Sequence, residues 1–264
     1  MFSGSIWSPS MMMTTHINVC LPEASEDCDP LQTDEVFVVY LLHGLTANAD
    51  EWPRFTNIEY LAKKYNVAFV MPEVERSFYT DMRDGIRYFD YVAKDLPAFV
   101  ERWFNLPTDR EHTFAIGQSM GGYGASKLGF TYPERYAGVA ALSPVTDLAD
   151  FGRMCADGSF EQMGVREFGL MFGDGEPVPA EADIFALAER ASKRADRPRF
   201  CQFCGTEDFL VDMNRRFDAH MDALGYEHLY LEWAGEHEWR FWQVAIQRAL
   251  QHLMGFDLAT TPLW

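Results

Sequence analysis

Apolar positions fall into short blocks separated by helix-length amphipathic stretches, a pattern that predicts an α/β fold with a mostly parallel sheet and helices on both faces. Residues 36–42 (Val-Phe-Val-Val-Tyr-Leu-Leu) are apolar without alternation, as a central strand buried on both faces requires. Further strands are expected at 67–71, 113–116, 138–142, 200–204 and 228–233, and residues 14–21 predict an earlier strand at an antiparallel edge. Helices are expected over 50–65, 88–104, 122–130 and 238–254. Pro97 lies inside the second of these and is expected to kink it, because it has no N–H to donate.

One stretch breaks the alternation. Residues 143–179 are rich in Gly, Met and Phe (Phe151, Met154, Phe160, Met163, Phe168, Met171, Phe172) and close on Gly173-Asp174-Gly175-Glu176-Pro177. An apolar, punctuated insertion after a strand suits either a cap over a pocket or a helical excursion packed on the sheet. We therefore expect one domain spanning 1–264, with 143–179 as a small cap insertion.

With 264 residues and 48% of them hydrophobic, the chain can fill one sizeable core. The formal net charge of −18 repels phosphate backbones and anionic membrane surfaces, so a small neutral ligand is expected rather than nucleic acid or membrane. No run approaches the roughly 20 apolar residues that span a bilayer, and no basic flank with an apolar run opens the chain, so a cytoplasmic location is expected. Five cysteines is an odd number, and Cys20, Cys28 and Cys155 stand in unrelated contexts, which speaks against a disulfide framework. Cys201 and Cys204 have C-x-x-C spacing but fall inside an expected buried strand with no second ligand pair, so they read as small core residues and no metal is expected.

The chemistry-bearing stretch is Gly117-Gln118-Ser119-Met120-Gly121. Chance alone would place G-x-S-x-G in roughly one chain in ten of this size, so its context must carry the inference. Here it joins an expected strand to an expected helix, which is the setting of a nucleophile elbow: a sharp turn that pushes the serine hydroxyl outward, flanked by glycines that let the backbone pass. A serine hydroxyl is a poor nucleophile at neutral pH and needs a base, and the base needs a group to orient it. His237 follows the last expected strand and Asp208 the one before it. Ser119, Asp208, His237 is the chain order of the α/β-hydrolase fold, and all three sit at the carboxyl ends of strands, where open α/β sheets place ligands.

Glu207, Asp212 and Asp147 are rival acids, and Asp208 is preferred by its place directly after the strand. His16, His112, His220, His228 and His252 lie on strand, loop or helix faces and read as surface or packing residues. The His43-Gly44-Leu45 turn after the central strand is where this fold supplies one backbone N–H of an oxyanion hole, the other coming from the residue after the nucleophile. Leu45 and Met120 are therefore the expected donors, with His43 holding the loop.

Gly117 to Gly124, His43-Gly44-Leu45-Thr46 with Trp52 downstream, Gly205-Thr206-Glu207-Asp208-Phe209-Leu210 and His237-Glu238-Trp239-Arg240-Phe241-Trp242 together resemble the tributyrin esterase branch of the esterase D-like hydrolases, over nearly the whole chain. The resemblance implies hydrolysis of short-chain acyl esters without a cofactor, and a tendency to form homo-oligomers. Its relatives include S-formylglutathione hydrolases and feruloyl and acetyl-xylan esterases. The expectation is a serine carboxylesterase acting through an acyl-enzyme on Ser119. The alternatives are a thioesterase for S-formylglutathione, a polysaccharide side-chain esterase, and an inactive hydrolase fold serving as a binding module.

Overall fold

The computed structural model describes residues 1–23, 35–83, 85–173, 177–259, 261 and 263. Among them, eight strands form one sheet: β1 (Phe2–Ser8), β2 (Met13–Cys20), β3 (Phe37–Leu42), β4 (Val67–Pro72), β5 (Thr113–Gln118), β6 (Gly138–Leu142), β7 (Arg199–Gly205) and β8 (His228–Trp233). Their spatial order is β1-β2-β4-β3-β5-β6-β7-β8. β1 pairs with β2 and β2 with β4 in antiparallel register, and all other pairings are parallel. This is the α/β-hydrolase fold that the strand pattern predicts.

The apolar run of β3 explains why helices cover both faces. Its alternate residues Val38, Tyr40 and Leu42 join one buried cluster, while Val39 and Leu41 join the other. On the second face lie α1 (Glu51–Phe55) and α2 (Ile58–Tyr65). The first face carries α3 (Tyr88–Asp90), α4 (Leu96–Phe104) and α5 (Met120–Thr131). α6 (Leu148–Asp157) and α7 (Val165–Phe172) follow β6, then α8 (Ile184–Ser192) and α9 (Val211–Ala223), and α10 (Trp239–Leu253) closes the second face.

Three expectations need correction. The strand over 14–21 is antiparallel but is not the edge, because β1, which the pattern did not reveal, pairs outside it. The helix over 50–65 is two helices: Thr56 is extended (φ −134°, ψ 167°) with its hydroxyl donating to the Trp52 carbonyl, and the Asn57 N–H donates to Gln243 Oε1 at 3.0 Å. Local side-chain bonds of this kind compete with the helical ladder. The helix over 88–104 is not one α-helix: a π-helical segment (Tyr91–Asp95) separates α3 from α4, and Pro97 stands in the first turn of α4. The Ala93 carbonyl, four residues before the proline, accepts instead from Arg135 Nη1 at 2.6 Å.

The 143–179 segment holds α6 and α7, and its residues 174–176 fall outside the described residues. Asp147 caps α6, its carboxylate accepting from the Asp150 N–H at 2.9 Å. Cys20, Cys155, Cys201 and Cys204 are free and buried; Cys28 lies outside the described residues.

A buried amide holds the loops at the carboxyl ends of β6 and β7. Asn214 on α9 donates from Nδ2 to the Pro144 and Leu210 carbonyls (2.9 and 2.8 Å), and its Oδ1 accepts from Gln202 Nε2 at 2.8 Å. Removing a buried partner costs about 1–3 kcal/mol per group left unpaired. Asn214→Ala should therefore lower the unfolding free energy by about 2–4 kcal/mol in urea titrations.

Candidate active site

β5 ends at Gln118 and α5 begins at Met120, so Ser119 alone makes the turn, with φ 56° and ψ −120°. Residues with a Cβ rarely adopt this conformation, which costs on the order of 1–3 kcal/mol. The surrounding backbone enforces it. A Cβ on Gly117 would stand 2.2 Å from the Gly121 carbonyl oxygen, and one on Gly121 would stand 2.3 Å from that of Leu42 and 2.7 Å from that of His43. Both glycines are thus required, and Gly121 presses the start of α5 directly against the end of β3. The Ser119 N–H is anchored on the Leu142 carbonyl at 2.8 Å.

The structure brings Ser119, His237 and Asp208 together. His237 Nε2 is 2.9 Å from Ser119 Oγ, and His237 Nδ1 is 2.8 Å from Asp208 Oδ2. Asp208 is buried, and its other oxygen accepts from the Leu210 N–H at 2.9 Å, which leaves Oδ2 for the imidazole. The imidazole is wedged between two rings, Phe209 at 4.8 Å and Trp242 edge-on at 4.9 Å. Its loop is tied to the Asp208 turn: Thr206 and Glu207 N–H donate to the Trp233 and Gly235 carbonyls (3.0 and 3.1 Å), and the Gly235 N–H donates to Glu207 Oε2 at 2.6 Å.

The rival residues are engaged elsewhere. Glu207 holds the His237 loop through Gly235, Asp212 faces Arg215 in the open, and Asp147 caps α6 and faces Arg216. His112 and His228 pair with Asp109 and Asp218, His16 lies near Asp50, and His220 meets the Phe185 carbonyl. His252 is half-buried, and burial pushes its pKa down.

Leu45 lines the same cavity as Ser119. Met120 is the first residue of α5, so its N–H has no intrahelical acceptor. Among the described residues neither amide donates a hydrogen bond. His43 is buried and braces this turn: Nδ1 donates to the Gly44 carbonyl at 2.8 Å, Nε2 accepts from the Val74 N–H at 3.2 Å, and its own carbonyl accepts from Tyr79 Oη at 2.9 Å. Glu73 adds a strut, its carboxylate accepting from the Ala49 N–H at 3.1 Å and lying 3.4 Å from His43 Nε2. Burial pushes the Glu73 carboxyl up, but its surroundings, the hydrogen bonds from the Ala49 and Glu75 N–H groups among them, outweigh that and hold it below the usual carboxylate range. Sequence reasoning missed Glu73 and Tyr79. The signal for Glu73 was its place just beyond the carboxyl end of β4.

Ser119 and His237 open on a cavity of 560 Å³, within the size range of small-molecule sites. From the 143–179 segment its walls take Val145, Phe151, Phe160 and Gln162. The aromatic residues Phe151 and Phe160 of this segment line the cavity, whereas its methionines Met154, Met163 and Met171 are not among the lining residues.

Residues 8–253 match the family described as putative esterase. The chain belongs to this family. It is a serine esterase, a carboxylic ester hydrolase, rather than an inactive binding module. This esterase is 30% identical over 253 residues to an acetyl esterase of Caldicellulosiruptor saccharolyticus, covering 94% of this chain and 95% of that protein. It is 29% identical over 143 residues to an S-formylglutathione hydrolase of Paracoccus denitrificans, covering 45% of this chain and 50% of that one. Among solved structures, the substrate-bound fluorophosphonate-binding serine hydrolase F of Staphylococcus aureus superposes with a TM-score of 0.84 at 26% identity, covering 96% of this chain and 98% of that one. These similarities place the esterase among esterase D-like hydrolases. Among the described residues no helix is long and apolar enough to cross a membrane.

The elbow's packing has a direct test. In this esterase Gly121→Ala should cost about 4 kcal/mol or more in urea unfolding, because the added methyl meets backbone that cannot yield. Gly164→Ala, whose Cβ would meet nothing within 4 Å, should stay within about 1 kcal/mol of the parent.

Proposed function

We propose that this esterase hydrolyses esters of short acyl chains through an acyl-enzyme on Ser119, with Asp208 and His237 completing the triad and Leu45 and Met120 forming the oxyanion hole. The observation that carries the reading is the continuous hydrogen-bonded line from Ser119 Oγ through His237 to the buried Asp208, opening on a cavity beside Leu45. Ser119 Oγ attacks the ester carbonyl carbon while His237 Nε2 takes its proton. The carbonyl oxygen becomes an oxyanion against the two amides, each worth on the order of 3 kcal/mol. Collapse breaks the bond to the alcohol oxygen, which leaves with the proton from His237. Water, deprotonated by the same nitrogen, then attacks the acyl carbon, and the acid departs as Ser119 regains its proton. Throughout, Asp208 holds the Nδ1–H tautomer and stabilises the imidazolium.

The proposed cycle needs no cofactor. Phe78, Phe151 and Phe160 in the cavity support a small apolar acyl group, with 143–179 acting as the cap over it. The name of the Caldicellulosiruptor relative and the motifs shared with the tributyrin esterase branch point the same way. The net charge of −18 favours a small neutral ester as the partner over nucleic acid or an anionic membrane surface. A cytoplasmic location and homo-oligomeric assembly belong to the same proposal.

A second reading, thioester hydrolysis of S-formylglutathione, is favoured by the Paracoccus relative and by the Staphylococcus aureus S-formylglutathione hydrolase, 26% identical over 96% of this chain with a TM-score of 0.82. Ferulic acid esterases share the fold at 20% identity or less, and polysaccharide side-chain esters are a third substrate class.

Ser119→Ala should abolish turnover of nitrophenyl butyrate, and Asp208→Asn should lower kcat by about 10⁴-fold; near-normal rates in folded variants would remove the triad assignment. Across nitrophenyl esters from acetate to octanoate, kcat/KM should peak at the short end and fall by octanoate. A kcat/KM for S-formylglutathione far above that for every oxygen ester would select the second reading.

A further inference from the structure

A second cavity, of 470 Å³, lies behind the aromatic wall of the first. Phe78 lines the Ser119 cavity and Phe172 the second one, and their rings meet edge to face at 5.9 Å. The proposed hydrolysis makes no use of this space. Its chemistry centres on Lys127 of α5, which is 4% exposed. Lys127 Nζ donates to Thr80 Oγ1 at 2.8 Å and to the Tyr79 carbonyl at 3.3 Å, and it lies 4.4 Å from the centre of the Phe89 ring. All three partners are neutral, and among the described residues no carboxylate comes within ion-pair distance. A buried ammonium without a counter-ion costs several kcal/mol, so such a group loses its proton or acquires an anion. Burial pushes this amine down to about 7, with Asp81 and Glu181 pulling weakly the other way.

The lining supplies the rest of an acid-binding site. Arg190 has no carboxylate partner among the described residues, and its Nη2 donates to the Ala180 carbonyl at 3.0 Å. Thr131 Oγ1 is buried at the same wall with no hydrogen-bond partner among the described residues. Of the other charged groups facing this space, Arg194 is paired with Asp196 at 2.7 Å, and Asp81 lies 3.7 Å from Arg87 and accepts from the Asp90 N–H at 3.0 Å. Among the described residues, two cations lining this cavity, Lys127 and Arg190, have no carboxylate partner, against one carboxylate, Glu181, with no cationic partner. Phe130, Phe172 and Leu187 form an apolar wall alongside.

We infer that this cavity binds a small monocarboxylate with an apolar tail, its carboxylate on Lys127 Nζ and its tail against Phe130, Phe172 and Leu187. The carboxylate supplies the counter-ion that Lys127 lacks, through a charge-assisted hydrogen bond strengthened by burial. The site is distinct from the Ser119 cavity and does not depend on the proposed hydrolysis.

Hexanoate is the probe, titrated calorimetrically into the full-length protein, with hexanol and hexylamine as isosteric controls. Hexanoate should saturate one site, with both controls weaker by about tenfold or more. Binding requires the protonated amine, so affinity should fall by up to about tenfold per pH unit above neutrality, and at pH 8.5 buffers of different ionisation enthalpy should reveal proton uptake. Lys127→Met should weaken binding by about tenfold or more. Ala191→Leu narrows the cavity from α8 without touching the amine and should weaken it as well, so a folding defect in one variant cannot decide the outcome. Hexanoate binding that survives both substitutions, an equal affinity for hexanol, or no saturable heat up to about 10 mM would overturn the assignment.

Discussion

Ser119 is held in a backbone conformation that a side-chain-bearing residue avoids, and close contacts between neighbouring backbone segments are what keep it there. Gly117 and Gly121 have no Cβ, so β5, α5 and the end of β3 approach one another more closely than any other residue would allow. The approach sets two positions together: it lifts the Ser119 hydroxyl out of the sheet edge, and it places the first amide of α5 beside the His43–Leu45 turn. The strain, on the order of 1–3 kcal/mol, is small beside the free energy of the sheet that imposes it.

His237 and Asp208 meet Ser119 at the elbow but are aligned by a separate device. The turn after β7 and the loop after β8 are zipped by backbone bonds and by Glu207, and Gly205 lets them close, since a Cβ there would stand 2.1 Å from the Gly235 carbonyl oxygen. Asp208 is buried, where an unpaired carboxylate would be costly, so its bonds to the Leu210 amide and the His237 ring both orient it and satisfy it. Trp242 from α10 closes the edge of the imidazole and donates to Ser143 Oγ at 3.2 Å, tying the last helix to the loop after β6. Orientation of the imidazole is thus an outcome of packing between three elements.

The two cavities show one aromatic cluster serving opposite environments. Phe78, at φ 51°, and its neighbour Tyr79, at φ 48°, stand in the turn between them. Tyr79 reaches the His43 carbonyl on one side, while its own carbonyl and Thr80 accept from Lys127 on the other. The buried amine and the His43–Leu45 turn are therefore tied to one short segment with left-handed backbone.

Much of this was legible from the chain because its causes are local. Continuous apolar runs reveal strands buried on two faces, and G-x-S-x-G between a strand and a helix reveals an elbow, because backbone sterics act within a few residues. β1 stayed hidden since most of its residues are exposed and it carries no apolar run, and the π-helical segment ahead of Pro97 has no signature in the apolar spacing. The sequence by itself determined the fold class, the order of serine, acid and histidine, and the glycines that make the turn possible. Only the tertiary structure decided which of four carboxylates meets the imidazole, which residues of 143–179 line the Ser119 cavity, and that buried Lys127 has no carboxylate within ion-pair distance among the described residues. Those facts depend on contacts between residues far apart in the chain, and side-chain proximity across such distances is set by packing, on which spacing along the chain is silent.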